Sequence, residues 1–434
     1  MSDNVVYLHG RPREVAQAVR IGFFDHRQAE HLWSANKLTA RRFVIEAANV
    51  ERQAGFLRTL RDANTEIVLD TNVAELSVKG RFSGAVKAAP WAPDERMLDA
   101  DDVVAGTNRS VIEPIARFAV KHGFTSVMAP AHLLDDESVD WLTVDLKAAE
   151  AMRVALDREG GKHIALDYPL ILTNRQLRDP ALRARIMTGL ADVPGGHIWL
   201  RVAGFGADAT GVGMSRYIEA IRPLHELGRP IMADQVGGIA GFAACAFGAV
   251  SGFAQGIEGK QRFEAGDWHK ERKSGGGGRT KRIFLPGLDR SVEVSTIRQL
   301  FDDARTARTI FGCSDATCCG DVEKMLGNPA SHAMVQGSRL ADALSAMPES
   351  VRTDQFLETH VEPRMKEAKR ATKLKKMDEG LRKTVSEAAK RLERVNDALH
   401  GLHKREGQPD FAPEAGVRVR QGTLFPMNRT GRPS

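Results

Sequence analysis

From Arg42 onward, short apolar runs alternate with stretches whose apolar residues recur every three or four positions. "RFVIEA" (42–47) precedes the helical "VERQAGFLRTLRDAN". The series continues with "TEIVLDTNVAEL" (65–76), "FTSVMAPAHLL" (124–134), "KHIALDYPLIL" (162–172), "GHIWLRVAGF" (196–205), "RPIMADQVGG" (229–238), "GAVSGFAQGI" (248–257) and "ARTIFGC" (307–313). Uninterrupted apolar runs mark strands buried on both faces of a parallel sheet, and amphipathic segments such as "GMSRYIEAIRPLHELG" supply the crossovers. A strand–helix unit repeated about eight times predicts a closed (β/α)8 barrel over residues 41–312, with a doubly wound sheet as the alternative.

Two stretches interrupt the series. Residues 77–108 carry Pro and Gly and predict a hairpin or lid over one barrel end; residues 258–294 include "KSGGGGRTKR". That glycine run lacks the preceding strand and the Lys-Ser/Thr ending of a phosphate loop, so it predicts a mobile basic loop suited to tracking a nucleic-acid backbone. Residues 1–40 read as an N-terminal extension with a short strand and a helix or two. Residues 313–360 form a small subdomain, and 361–405 a helical extension. In that extension Leu381, Val385, Ala388, Leu392, Val395, Leu399 and Leu402 alternate four and three apart. Such a seam packs against the body or pairs with a second copy. Residues 406–434 are rich in Pro and Gly and predict disorder.

Charge changes the picture only at the C-terminal end. The chain of 434 residues has a formal net charge of +6. Val351–Ser434 holds 19 Lys and Arg against 12 Asp and Glu, which leaves the first 350 residues near neutral. A basic appendage on a neutral body suits a polyanion, with nucleic acid the commonest, or simply a solvated helical face. Three of the four cysteines are clustered, which argues against a disulfide framework and for a reducing, cytoplasmic setting. No leader pattern and no run of eighteen apolar residues is present, so no membrane association is expected.

Candidate chemistry sits in two places. Cys313, Cys318, Cys319 and His332 supply three thiolates and an imidazole within twenty residues, the donor set of a closed structural zinc site. The bland alternative is buried free cysteines beside a helix-facing histidine. In a barrel, catalytic groups project from the carboxyl ends of strands. Those ends offer Asp70, His132 with Asp135, Asp167, Arg201, and Asp234 with Gln235. Gly237 and Gly238 follow, a turn through which backbone can approach a phosphate or ring. Carboxylates sharing a pocket divide into ionised and protonated partners, although each Asp taken singly also suits a turn or helix cap. Separately, Gln421, Leu424 and Phe425 in "RQGTLFPM" resemble the peptide by which bacterial DNA enzymes hold the sliding clamp.

The cysteine cluster and the following His332, Arg339, Leu340, Asp342, Leu344, Pro348, Arg352 and Phe356 resemble the tRNA-guanine transglycosylase family. The resemblance covers roughly residues 40–360. It implies a (β/α)8 barrel with a C-terminal subdomain holding structural Zn2+ through three Cys and one His. It also implies exchange of guanine for a 7-deazaguanine in tRNA or, in related members, DNA. Asp70-Thr71 matches the family's base-contacting Asp, with Asn72-Val73 where the family has glycines. "HIWLRVAGFG" and "PIMADQVGG" are similar to later family strands. The strand that carries the family's nucleophilic Asp has Ser251 and Gln255 here, and Cys-x-Cys-x2-Cys becomes Cys-x4-Cys-Cys. The leading expectation is a nucleic-acid base-exchange enzyme in which Asp70 reads the base or moves protons and Asp234, then Asp167, stands in as nucleophile. Gln235, Gly237, Gly238, Arg201 and His132 would bind substrate. The alternatives are a nucleic-acid-binding barrel that has lost its chemistry and an unrelated barrel enzyme acting on a small molecule.

Overall fold

The computed structural model describes residues 12–78, 85–94, 96–135, 138–257, 259–269 and 280–419. Eight parallel strands close into a barrel: β1 (Ala16–Ile21), β2 (Arg42–Glu46), β3 (Glu66–Asp70), β4 (Ser126–Met128), β5 (Ala165–Thr173), β6 (Ile198–Ala203), β8 (Ile231–Asp234) and β9 (Gly252–Gly256). The two-residue β7 (Phe205–Gly206) stands outside the ring. The architecture is therefore the predicted (β/α)8 barrel.

Its closing strand is not the predicted one. β1 lies inside what reads as the N-terminal extension, while "ARTIFGC" folds as helix Arg305–Phe311. Ala307 and Phe311 are buried four positions apart, one helical turn. β1 escapes a search for apolar runs because its inward positions are Ala16, Ala18 and Arg20. The small pair is dictated by the far wall: Trp199, fully buried, fills the barrel centre against Ala16, Ala18, Ala254 and Ala415. Gly252 completes the closure. A Cβ there would sit 2.0 Å from the Ala16 carbonyl oxygen, so β9 could not approach β1 with any other residue.

The insertions pack over the barrel rather than forming a free hairpin. Residues 79–84 and 95 lie outside the described residues, but the indole of Trp91 donates to the Thr71 carbonyl (2.9 Å), beside Asp70. In the second insertion, β10 (Arg262–Phe263) pairs antiparallel with β7. β11 (Arg282–Leu285) and β12 (Arg290–Glu293) form a hairpin. Most of the glycine run falls outside the described residues. Helix Glu379–Glu406 turns its whole predicted seam inward, from Leu381 to Leu402, against helices Gly211–Ile221 and Glu362–Ala371 of the same chain. The seam is used within the protomer. Among the described residues no helix is long and apolar enough to cross a membrane.

Residues 407–419 are ordered, contrary to the disorder their composition predicts. They run under the barrel: Ala412 N–H donates to Gly248 O, Ser251 Oγ to Pro413 O, and Ala415 enters the interior. Arg418 then meets Asp167 Oδ1 at 2.7 Å, and its backbone N–H donates to Glu66 Oε2 at 3.0 Å. Buried carboxylates demand such partners, which composition does not reveal. Among the described residues, replacing Arg418 with Leu leaves the buried Asp167 with only the neutral Ser126, His197 N–H and Trp199 donors, while Glu66 keeps Arg42 at 3.1 Å. The loss of the only cation on Asp167 should cost about 3 kcal/mol in urea unfolding. A cost within about 0.5 kcal/mol would show that the tail is only draped there.

Candidate active site and metal centre

The carboxyl ends of β1, β3, β6 and β8 converge on a four-membered ion network. Arg20 donates through Nε to Asp234 Oδ1 (2.5 Å), through Nη2 to Asp234 Oδ2 (2.7 Å) and through Nη1 to Asp70 Oδ2 (2.8 Å). Arg201 bridges the same pair, Nε to Asp234 Oδ2 (2.9 Å) and Nη2 to Asp70 Oδ2 (3.1 Å). All four residues are buried. Planar guanidinium forks suit two carboxylates at once, and excluding water strengthens each contact.

The network divides the carboxylates by role. Burial alone would raise Asp70, but the two guanidinium groups and the Asn72 N–H (3.0 Å to Oδ1) hold it at about 2. Glu75, partly buried one turn beyond, is pushed up to about 7 by burial and by the negative charge of Asp70. Asn72 connects them, since its backbone N–H binds Asp70 and its side-chain amide reaches Glu75 Oε2 at 3.3 Å. It does so from a left-handed backbone (φ 58°), and Gln235 after Asp234 is left-handed too (φ 58°). Such conformations in residues with a Cβ cost free energy and cluster at sites where geometry is over-determined.

At the rim, Lys260 pairs with Glu46, the last residue of β2. Burial, assisted by the positive charge of Arg20, lowers this lysine to about 7. Phe263 and Trp268 close over the mouth with Ala74 and Ile171, and the Arg201 guanidinium lies 5.7 Å from the Phe263 ring centre. The mouth is thus a charged floor under an aromatic cover.

Several predicted site residues stand elsewhere. Asp167 is at the opposite end of the barrel, accepting from Ser126, His197 N–H, Trp199 and Arg418. Being level with the start of β6, it does not share the mouth with Asp70 and Asp234. His132 pairs with Asp145 (Nδ1···Oδ1 2.6 Å), not Asp135, and stacks on Trp141 at 3.9 Å. Gly237 and Gly238 make room for the protein itself. Gly237 N–H donates to Gln261 O, and a Cβ on Gly237 would lie 2.6 Å from that of Gln261. The following helix start is taken by the Asp289 carboxylate, 2.9 Å from Ile239 N. Arg201 and Asp70 are where the strand-end rule puts them. Arg20, Glu75 and Lys260 carry no strand-end signal in the sequence, Arg20 because β1 has no uninterrupted apolar run. Gln421, Leu424 and Phe425 lie outside the described residues.

The cysteine cluster is assembled as predicted. Ligand atoms of Cys313, Cys318, Cys319 and His332 all lie within 4.8 Å of one another. Cys318 Sγ and Cys319 Sγ are 3.5 Å apart, and they stand 3.6 and 3.4 Å from His332 Nδ1. A tetrahedral ion with bonds of about 2.3 Å to sulfur and 2.0 Å to nitrogen has edges of about 3.5–3.8 Å, so the four groups could hold a metal ion. The adjacent cysteines both reach because residues 315–320 turn tightly, with Cys318, Cys319 and Gly320 N–H all donating to Asp315 O. Burial lowers His332 to about 4, which keeps the imidazole neutral and able to ligate.

No family model matches the chain, and no curated protein matches it. Among solved structures it is similar to a type I 3-dehydroquinate dehydratase from Clostridium difficile (11% identity, 61% of this chain, 92% of that chain, TM-score 0.33). An intracellular xylanase from Thermoanaerobacterium saccharolyticum is similar to the same degree (13% identity, 57% and 86%, TM-score 0.33). Likenesses this distant say nothing about activity.

Proposed function

We propose that this barrel catalyses glycosyl transfer on a nucleic acid, exchanging a base of the guanine or 7-deazaguanine type in DNA or tRNA. The observation that carries the reading is the pair Asp70 and Glu75, bridged by Asn72 and held at about 2 and about 7. Glycosidic chemistry needs that division, one carboxylate ionised as nucleophile and one carboxyl protonated as acid. Asp70 attacks C1′ of an extruded nucleotide while the C1′–N bond breaks. The bonding pair leaves with the base, and Glu75 supplies its proton. The incoming base returns a proton to Glu75, attacks C1′ and releases Asp70. Asp234, clamped by Arg20 and almost fully buried, orients the guanidinium groups instead of attacking.

Flat aromatic surface at Phe263 and Trp268 suits a flipped base, which enters when the stretch 259–269 lifts from β7. The basic C-terminal segment supplies backbone affinity, and a clamp-type peptide at Gln421–Phe425 would favour DNA. Three thiolates and an imidazole favour Zn2+ in the metal centre, as a structural ion.

A second reading is a nucleic-acid-binding barrel without exchange. It is favoured by the strand β9, where Gln255 faces outward and Ser251 holds the tail. The deciding measurement is incorporation of labelled guanine or 7-deazaguanine into DNA and into tRNA. Incorporation into either, lost in Glu75→Gln, supports exchange. A folded, metal-loaded protein that retards DNA yet incorporates nothing supports the second reading.

A further inference from the structure

Outside the barrel wall, between β1, β9 and helix Pro329–Ala346, lies a cavity of about 320 Å3. It is distinct from the mouth, because it is lined by the outward residues Gln17 and Gln255, whereas Arg20, Asp70 and Asp234 face inward. Outward positions on barrel strands are ordinarily covered by apolar helix faces. Here two carboxamides occupy them on neighbouring strands and line the cavity. Gly337 on the facing helix leaves the space open: a Cβ there would lie 3.2 Å from Gln255 Nε2 and 3.9 Å from Gln17 Nε2.

The remaining walls fit a flat, mostly apolar guest. Phe242 and Met334 line the cavity, as do His360 and Arg364. His360 belongs to a five-residue π-helical turn, Leu357–Val361, a departure from α-helix that recurs at functional sites. His360 Nε2 is buried without a hydrogen-bond partner, and Arg364 Nη1, also without one, stands 3.7 Å from the Asp289 carboxylate. Buried polar groups are nearly always hydrogen-bonded, so two that are not, beside two carboxamides facing one cavity of ligand size, point to an absent partner.

We propose that this cavity binds an uncharged planar heterocycle of purine size through a lactam edge. Each carboxamide offers one donor and one acceptor face, which matches an N–H beside a C=O, while the apolar walls cover the ring faces. Helix Pro329–Ala346 carries both His332 and the cavity wall, so an ion held at His332 would steady the shape of the pocket.

The test is calorimetric titration of hypoxanthine into the full, metal-loaded chain. Saturable binding is expected, weakened at least tenfold in Gln17→Leu/Gln255→Leu and retained in Glu75→Gln, which alters only the mouth. Gly337→Leu, which fills the space from a helical position, should abolish it while thermal unfolding is kept. Absence of binding, or binding unchanged by both the glutamine and glycine substitutions, overturns the proposal. Loss in Glu75→Gln alone would instead place the heterocycle in the mouth and leave the exchange reading intact.

Discussion

Cys319→Ser, or prolonged chelation of the unaltered protein, should release the metal and lower the thermal midpoint by roughly 10 °C. Zinc held by such donors contributes about 10–16 kcal/mol in isolated finger peptides, far more than any single contact in this region. An ion there would have much to hold. Residues 312–321 have no regular secondary structure beyond one turn, and two of their three thiols are only partly buried. His332, in the first turn of helix Pro329–Ala346, ties that loop to the element that packs on β1 and β11. The same helix is pinned to the barrel through Ser338, which meets the Thr39 N–H (3.0 Å) and hydroxyl (2.6 Å). Releasing the ion therefore loosens the wall next to the closing strand as well as a surface loop. Metal content by mass spectrometry and unfolding by circular dichroism check this together. Cys245→Ser, in the core away from the cluster, should keep a full equivalent of metal. Full metal in Cys319→Ser, or an unchanged midpoint without metal, would reduce the four residues to a thiol cluster.

The parts of this molecule that were legible in the sequence are those where local pattern and tertiary role coincide. Seven barrel strands read correctly because both of their faces are covered, which forces uninterrupted apolar runs such as "EIVLD" and "IWLRVA". The clustering of Cys313, Cys318, Cys319 and His332 into a group that could hold a metal ion was legible because donor chemistry is carried by residue type and short spacing. What was hidden depends on residues far apart in the chain. β1 is polar and small because Trp199, some 180 positions later, occupies the space it faces. Asp167 reads as a strand-end acid, yet a strand of nine residues starting at Ala165 puts it near the floor, where Arg418 answers its charge. Glu75 looks like an ordinary helix acid. Its chemistry comes from the burial and from the proximity of Asp70, neither of which spacing alone displays. The two glycines after Asp234 suggested a ligand and proved to accommodate Gln261 and Asp289.

Glu75→Gln should lower exchange by 10²- to 10⁴-fold, the contribution of a positioned proton donor, while stability stays nearly unchanged below about pH 4.5 and exceeds that of the unaltered protein above about pH 7. Glutamine keeps the shape and the acceptor that Asn72 binds at 3.3 Å, but it has no proton to transfer. The pH dependence distinguishes this from a merely structural loss. Glu75 must be protonated to act, and its folded-state value is raised to about 7 from 4.5, so kcat/KM should fall as pH rises through about 7. Asp70, held at about 2, stays ionised throughout that range and sets no second limb there. Stability follows the same sign. A carboxyl raised by folding favours the folded state below its unfolded value, and that benefit is lost as pH climbs from about 4.5 to 7. Asp70→Asn supplies the decisive comparison. Burial and the charge of Asp70 raise Glu75, whereas Arg20 and Arg201 lower it. Removing the Asp70 charge leaves both guanidinium groups acting on Glu75, whose titration, followed by carboxyl NMR, should move acidward by at least one pH unit. A Glu75 that titrates near 4.5 in the unaltered protein, or one unmoved by Asp70→Asn, would mean that the two carboxylates do not share a site and that the proton donor must be sought at Lys260.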